Sequence, residues 1–179
     1  MWKLRLPLKI KIFLWYLKKG VLLTRDNLIN RKWKGESKCC FCIKNESIQH
    51  LFFYCHVAKF AWNAVFFFYF GIQTPASVTH LLGSWLRGLP LKLRKQILVG
   101  VVALCWALWL CRNDAVFCRK FPNSYLQIIF RATYWARTWS LLSKEEEKDL
   151  LKNKCRELES LSLELFAKGG WNFRNRVTL

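Results

Sequence analysis

The sequence predicts a mainly α-helical protein, with a small N-terminal module over residues 1–72 followed by a helical half over residues 73–179. Three observations carry this reading. Apolar residues run at helical spacing or in helix-length blocks through most of the chain, potential metal ligands crowd into CCFCIKNESIQHLFFYC at positions 39–55, and basic residues gather ahead of that stretch. With 179 residues, 53% hydrophobic and 16% aromatic, the chain has the material for a core.

The elements follow in order. Residues 2–12 alternate Trp2, Leu4, Leu6, Leu8, Ile10 and Ile12 with Lys3, Arg5, Lys9 and Lys11, a period of two that suits an extended basic segment, although Pro7 argues against a regular central strand. From Ile12 the pattern turns apolar and stops at Gly20, and Thr24 to Asn30 reads as a cap and a short helix. Ala58 to Phe70 is an aromatic helix that should end at Gly71. Thr74 to Gly88, opened by Thr74-Pro75, is the seam between the two halves. Ile97 to Cys111 holds fifteen residues without a charge, short of the roughly 17 to 20 that a bilayer span needs, so a helix buried among helices is expected and a membrane is not an expected partner. Ser143 and Glu146 fit a capping box at the start of a last helix, 143–168, whose Leu151, Leu158, Leu161 and Leu165 share a stripe that would pack on the body or on a protein partner.

Charge narrows the partners. Thirty Lys and Arg against eleven Asp and Glu give +19, and residues 1–59 hold thirteen of the basic residues against only Asp26, Glu36 and Glu46. Such an excess favours a polyanion, nucleic acid first, although it also serves simply to keep an apolar protein in solution. The eight cysteines would allow a disulfide framework in a secreted chain. The N-terminus argues otherwise: lysines and an arginine break its apolar run, Ile12 to Leu17 is too short for a signal core, and no small-residue cleavage site follows. An intracellular location, nucleus or cytoplasm, is expected, where cysteines in C-x2-C spacing serve as metal ligands.

Cys39, Cys42, His50 and Cys55 are spaced C-x2-C-x7-H-x4-C. A tight C-x2-C turn supplies two thiolates, and a later His and Cys close a tetrahedron around one zinc ion with no position left for water, so the zinc would be structural. Cys40, beside Cys39, and His56, beside Cys55, are alternative ligands, and buried thiols next to a satisfied histidine are the plain alternative to a metal site. His50 and Cys55 stand five residues apart, about 140° around an ideal α-helix, so the backbone between them must be irregular if both bind one ion. Cys105, Cys111, Cys118 and Cys155 have no histidine nearby and read as core.

No catalytic residues are expected. The chain has no phosphate loop, no G-x-S-x-G and no pair of Asp residues suited to two-metal chemistry, and Cys55 with His50 lacks a third group to orient a nucleophilic pair.

The segment LPLKIKIFLWYLKKGVLLTRDNLINRKW, then CCFC, then ESIQHLFFYCHVAKFAW, resembles the zinc-binding domain found downstream of the reverse transcriptase in plant non-LTR retrotransposons. The matching anchors are Lys9 to Trp15, Leu22 to Leu28, Cys39 to Cys42 and Glu46 to Trp62, and WALWLCRNDAVF, Trp106 to Phe117, resembles a W-x-x-W-x-x-R-N-x-x-F stretch that often follows them. Cys40 stands where that family usually has Pro. The resemblance implies a fragment without the polymerase, and a part in holding template RNA or target DNA.

Together these readings give a non-catalytic zinc module that binds RNA or DNA. Phosphate contacts are expected from Lys9, Lys11, Lys18, Lys19, Arg25, Arg31, Lys32, Lys34 and Lys38, with Trp33 stacking on an unpaired base. The alternatives are a protein-interaction scaffold with a structural zinc, a membrane-anchored protein, and a non-functional retrotransposon remnant.

Overall fold

The computed structural model describes residues 4–67 and 73–169. It is 68% helical, which bears out the mainly α prediction, and the only extended pairing among the described residues is a single antiparallel bridge between Lys38 and Asn45.

Helix α1, Leu8–Lys19, opens directly after Pro7 and closes at Gly20, whose φ of 71° is left-handed. There the amide of Val21 returns to the Tyr16 carbonyl at 3.1 Å, a common way to satisfy a helix end. The extended reading of residues 2–12 is therefore corrected from Leu8 onward. Ile10, Phe13, Leu14 and Leu17 are all buried, a helical spacing that alternation over 2–12 concealed. Pro7, which has no amide hydrogen to contribute, sits where a helix start needs none.

Helix α2, Arg25–Asn30, follows Thr24 as expected. Asn27 ties it to α1 by donating from Nδ2 to the carbonyls of Gly20 at 2.8 Å and Leu22 at 2.7 Å. After the Cys/His loop comes a π-helical turn, His50–Tyr54, then α3, His56–Trp62, and a second π-helical turn, Asn63–Phe67. The expected helix over 58–70 thus begins earlier and changes form after Trp62, and its predicted stop at Gly71 lies outside the described residues. The seam at 74–88 contains a short helix α4, Val78–Leu82, capped by the Ser77 hydroxyl, which accepts from the His80 amide at 3.1 Å.

Helix α5, Leu91–Cys118, is far longer than the uncharged stretch that announced it. Its length and composition would let it cross a membrane, yet Ile97, Val101, Leu104, Cys105, Leu108 and Arg112 are buried against the rest of the chain. It packs along α6, Tyr125–Ser140, which in turn packs along α7, Glu145–Gly169. The α7 start differs from expectation. Ser143 lies in the turn after α6, its amide on the Ser140 carbonyl at 2.9 Å, and the first α7 bond runs from Lys148 to the Lys144 carbonyl at 3.0 Å. The helix therefore begins after Lys144, one residue later than the predicted Ser143–Glu146 capping box requires, and a lysine there has no acceptor with which to form such a box. Leu158 is buried and Leu151, Leu161 and Leu165 are partly so, which turns the α7 stripe towards the body. Arg137 of α6 pairs with Glu159 of α7 at 2.6 Å.

One continuous cluster of buried side chains joins α1, the Cys/His loop, α3, α4 and α5–α7. Phe13 of α1 meets Phe52 of the π-turn and Trp106 of α5 edge-on, at ring centroid distances of 6.2 and 5.1 Å.

Candidate metal centre

A short hairpin builds the first half of the site. The Cys39 amide donates to the Lys44 carbonyl at 2.7 Å and the Glu46 amide to Ser37 at 2.8 Å, so residues 39–44 form a tight tip. Within it the Cys42 amide reaches the Cys39 carbonyl at 3.4 Å and the Phe41 amide donates to Cys39 Sγ at 3.4 Å, which turns both thiols to the same side.

The second half comes from the π-turn. The Cys55 amide donates to the His50 carbonyl at 2.7 Å, an i→i+5 bond that brings residues five apart onto one face. This is the irregularity that the His50 to Cys55 spacing demanded, in the form of a wider helix rather than a frayed one. The Ser47 hydroxyl accepts from the His50 amide at 3.1 Å and fixes the turn's start.

The four ligand atoms of Cys39, Cys42, His50 and Cys55 lie within 4.8 Å of one another, and His50 Nε2 is 3.1 Å from Cys42 Sγ. A zinc tetrahedron with Zn–S near 2.3 Å and Zn–N near 2.0 Å has edges of about 3.5 to 3.8 Å, so this set closes on an ion with shifts under about 1 Å. Cys39, His50 and Cys55 are buried and Cys42 is partly so, leaving no open coordination position. The cofactor that fits is one structural zinc.

The electrostatics agree. Hydrogen bonds from the Cys40 and Cys55 thiols hold Cys39 far below the usual thiol range, and the same bonds push Cys40 and Cys55 up. Burial raises Cys42. Zinc binds thiolates, so metal binding to this cluster must release protons. His56, the other alternative ligand, lies apart from the four, its ring edge-on to Tyr125 at 6.1 Å.

Behind the site lies a buried ion pair that sequence reasoning missed. Arg112 of α5 donates from Nη2 to Glu46 Oε1 at 2.7 Å, and from Nε to Oε1 at 3.0 Å and Oε2 at 3.2 Å. Both side chains are 0% exposed. Oε1 also accepts from the Arg25 amide at 2.9 Å, while Arg112 Nη1 donates to Asn113 Oδ1 at 3.0 Å and the guanidinium lies 5.1 Å from the Trp109 ring. Glu46 therefore joins three elements: the metal loop, the first residue of α2, and α5. Removing one partner from such a pair costs about 3–5 kcal/mol, because the other charge stays buried. The readable signal was Arg112 at the end of the uncharged run Ile97 to Cys111, whereas Glu46, among Lys44, Asn45, Ser47 and Gln49, gave none.

The expected nucleic-acid residues divide. Lys18, Lys19, Arg31, Lys32, Lys34 and Lys38 are exposed, as is Trp33 at 40%. Lys11 is half-buried on α1. Lys9 is exposed too, with its ammonium over the rings of Trp135 and Trp106 at 5.2 and 5.9 Å. Arg25 is partly buried, with its guanidinium 3.8 Å from Glu36. The Trp33 indole covers Gly35 so closely that a Cβ there would sit 1.9 Å from a ring carbon.

No curated protein and no solved structure matches the chain. A family model described as zinc-binding in reverse transcriptase matches residues 1–62, which span all four ligands and end at Trp62, the last residue of α3. The N-terminal third of this chain is thus similar to the zinc-binding domain of reverse transcriptases, and its four clustered ligands support a zinc-binding module.

Proposed function

We propose that the module binds nucleic acid, RNA or DNA, without catalysing a reaction, through the basic surface formed by the end of α1 and by α2 with the loop after it. The observation that supports this reading is the grouping of exposed cations. Lys18 and Lys19 end α1, the Asn27 bonds hold α2 against that same end, and Arg31, Lys32, Lys34 and Lys38 follow α2. The dipole of α1 points its negative end at Lys18 and Lys19, whose side chains stand in solvent. Zinc has a supporting part here: it fixes the hairpin at whose base Lys38 stands. The same reading places the chain in the nucleus or cytoplasm, where its thiols stay reduced.

Phosphate contacts carry no sequence information, so binding should show weak sequence preference and steep salt dependence. The test is a titration of labelled RNA and DNA oligonucleotides of mixed sequence at several salt concentrations, on the zinc-loaded full chain. Replacing Lys18, Lys19, Arg31 and Lys32 together by Glu should abolish binding, and single replacements should each reduce the salt slope by about 0.7 to 0.9. Salt-independent binding, or binding unchanged in the fourfold variant, would sink the reading.

A further inference from the structure

Two overlapping ligand sets share Cys39. One is the Cys39, Cys42, His50 and Cys55 cluster, and the other is Cys39, Cys40 and Glu46, whose ligand atoms also lie within 4.8 Å of one another. Each set contains donors that bind divalent metals, and Glu46 is a harder ligand than any thiolate. Geometry around the cysteines alone does not choose between them.

Arg112 does. Its fork bonds both oxygens of Glu46, at 2.7, 3.0 and 3.2 Å, and the Arg25 amide takes a further lone pair of Oε1. Turning this carboxylate towards Cys39 and Cys40 would break its bonds to Arg112 and to the Arg25 amide and leave a buried guanidinium unpaired. We infer that Arg112, fifty residues beyond the end of the family match at Trp62, is a positioning residue of the zinc centre: it withholds Glu46 from the metal and so selects the three-thiolate, one-imidazole set. Because the bond also anchors the backbone between Cys42 and His50, helix α5 completes a site whose ligands all lie in the N-terminal module. Cys40, beside Cys39 but paired with a withheld carboxylate, then stays out of the coordination sphere.

Outer partners of metal ligands typically change affinity 10- to 100-fold. The experiment uses the full chain with Zn2+ for affinity, by competition with a chelator, and Co2+ for its spectrum, since the intensity of thiolate-to-cobalt charge transfer follows the number of bound thiolates. Arg112→Lys keeps the charge but loses the fork, and Arg112→Met loses both. Each should weaken zinc by about 10- to 100-fold and shift the cobalt spectrum towards fewer thiolates. Adding Glu46→Gln to Arg112→Met removes the competing carboxylate and should return the spectrum to the native form. A native spectrum and native affinity in Arg112→Lys, even with a lower melting temperature, would reduce Arg112 to a packing residue and overturn the inference. A second test does not depend on how the Arg112 variants fold. Cys40→Ala in the otherwise native chain should leave the cobalt spectrum unchanged, and a changed spectrum would make Cys40 a ligand already and overturn the selection.

Discussion

The eight cysteines divide into two groups that differ in almost everything except residue type. Cys39, Cys40, Cys42 and Cys55 crowd around one another in a hairpin tip and a π-turn, where sulfur meets sulfur and imidazole. Cys105, Cys111 and Cys155 are buried singly on long helices, and Cys118 is exposed at the end of α5. In the first group hydrogen bonds between thiols lead the shifts of Cys39, Cys40 and Cys55, while burial leads at Cys42. In the second, burial alone pushes Cys105 up to about 12 and leads the rise of Cys155 to about 11. A cysteine's role here is decided by what shares its backbone turn, and burial by itself does not distinguish ligand from core.

Substitution in the two groups offers the largest test of that contrast. Cys42→Ser should lose the zinc, and with it a contribution on the order of 10 kcal/mol to the folding of the module. Cys105→Ser should keep one zinc per chain and cost only about 1–3 kcal/mol, the penalty of a buried hydroxyl. Metal content by mass spectrometry and denaturant unfolding with and without chelator measure both. Full zinc occupancy in the Cys42 variant, or equal losses in the two, would break the comparison.

A core substitution in the helical half comes next in size. Leu104 is 0% exposed on α5, and Leu104→Ala should cost about 2–5 kcal/mol. Zinc stoichiometry in the folded protein should be unchanged, because the ligands are placed by local turns and by the Glu46–Arg112 bond, two turns further along α5. Unfolding monitored at the zinc and at the helices should nonetheless coincide, since the buried cluster runs unbroken between them.

The two groups should also respond to pH on opposite sides. Metal ligands must be deprotonated, so acid displaces zinc and destabilises the module as pH falls. The helix cysteines act in alkali. Their folded values near 12 and 11 lie above the roughly 8.5 of an unfolded thiol, so below that value both states hold the proton and their contribution is fully present. Above it the unfolded chain sheds protons that the folded chain keeps, and stability falls until the folded thiols ionise, by about 1.4 kcal/mol per pH unit per thiol. Urea unfolding at about pH 9 and pH 11 should show a smaller decline for Cys105→Ala than for the native chain. An identical decline would mean that this thiol ionises as freely when folded as when unfolded.

What could be read from the sequence follows the range of the forces involved. The ligand set was legible because C-x2-C and a following His and Cys constrain one another within seventeen residues, and the angular misfit between His50 and Cys55 already required an irregular turn. That the turn is π-helical was not legible, since either a wider helix or a frayed one removes the misfit. The start of α1 was misread because alternation and helical spacing select several of the same apolar residues before Ile12, and only burial of Ile10 with Phe13 and Leu14 separates them. The Glu46–Arg112 bond joins residues 66 apart in sequence, beyond any local pattern. Arg112 stood out at the end of an apolar run, but Glu46 lies among polar neighbours and nothing in either stretch names the other.

The smallest effects come from two glycines, one in each region, and they should have opposite signs. Gly20 closes α1 at φ 71°, a conformation that costs an L-residue about 1–2 kcal/mol, so Gly20→Ala should destabilise by about 1 kcal/mol although nothing crowds its Cβ position. Gly100 lies inside α5, lining an apolar cavity of about 240 Å³ between α5, α6 and α7, and a Cβ there would meet nothing within 4 Å. Its backbone is ordinary helix, where alanine is favoured over glycine by about 0.8–1.0 kcal/mol. Gly100→Ala should therefore stabilise the chain by up to that amount, raising the melting temperature by a few degrees for a protein of this size. A destabilising Gly100→Ala would show that the cavity wall is already in contact with the helix at that point. A neutral Gly20→Ala would show that the end of α1 can rearrange, and with it the placing of Lys18 and Lys19 beside α2.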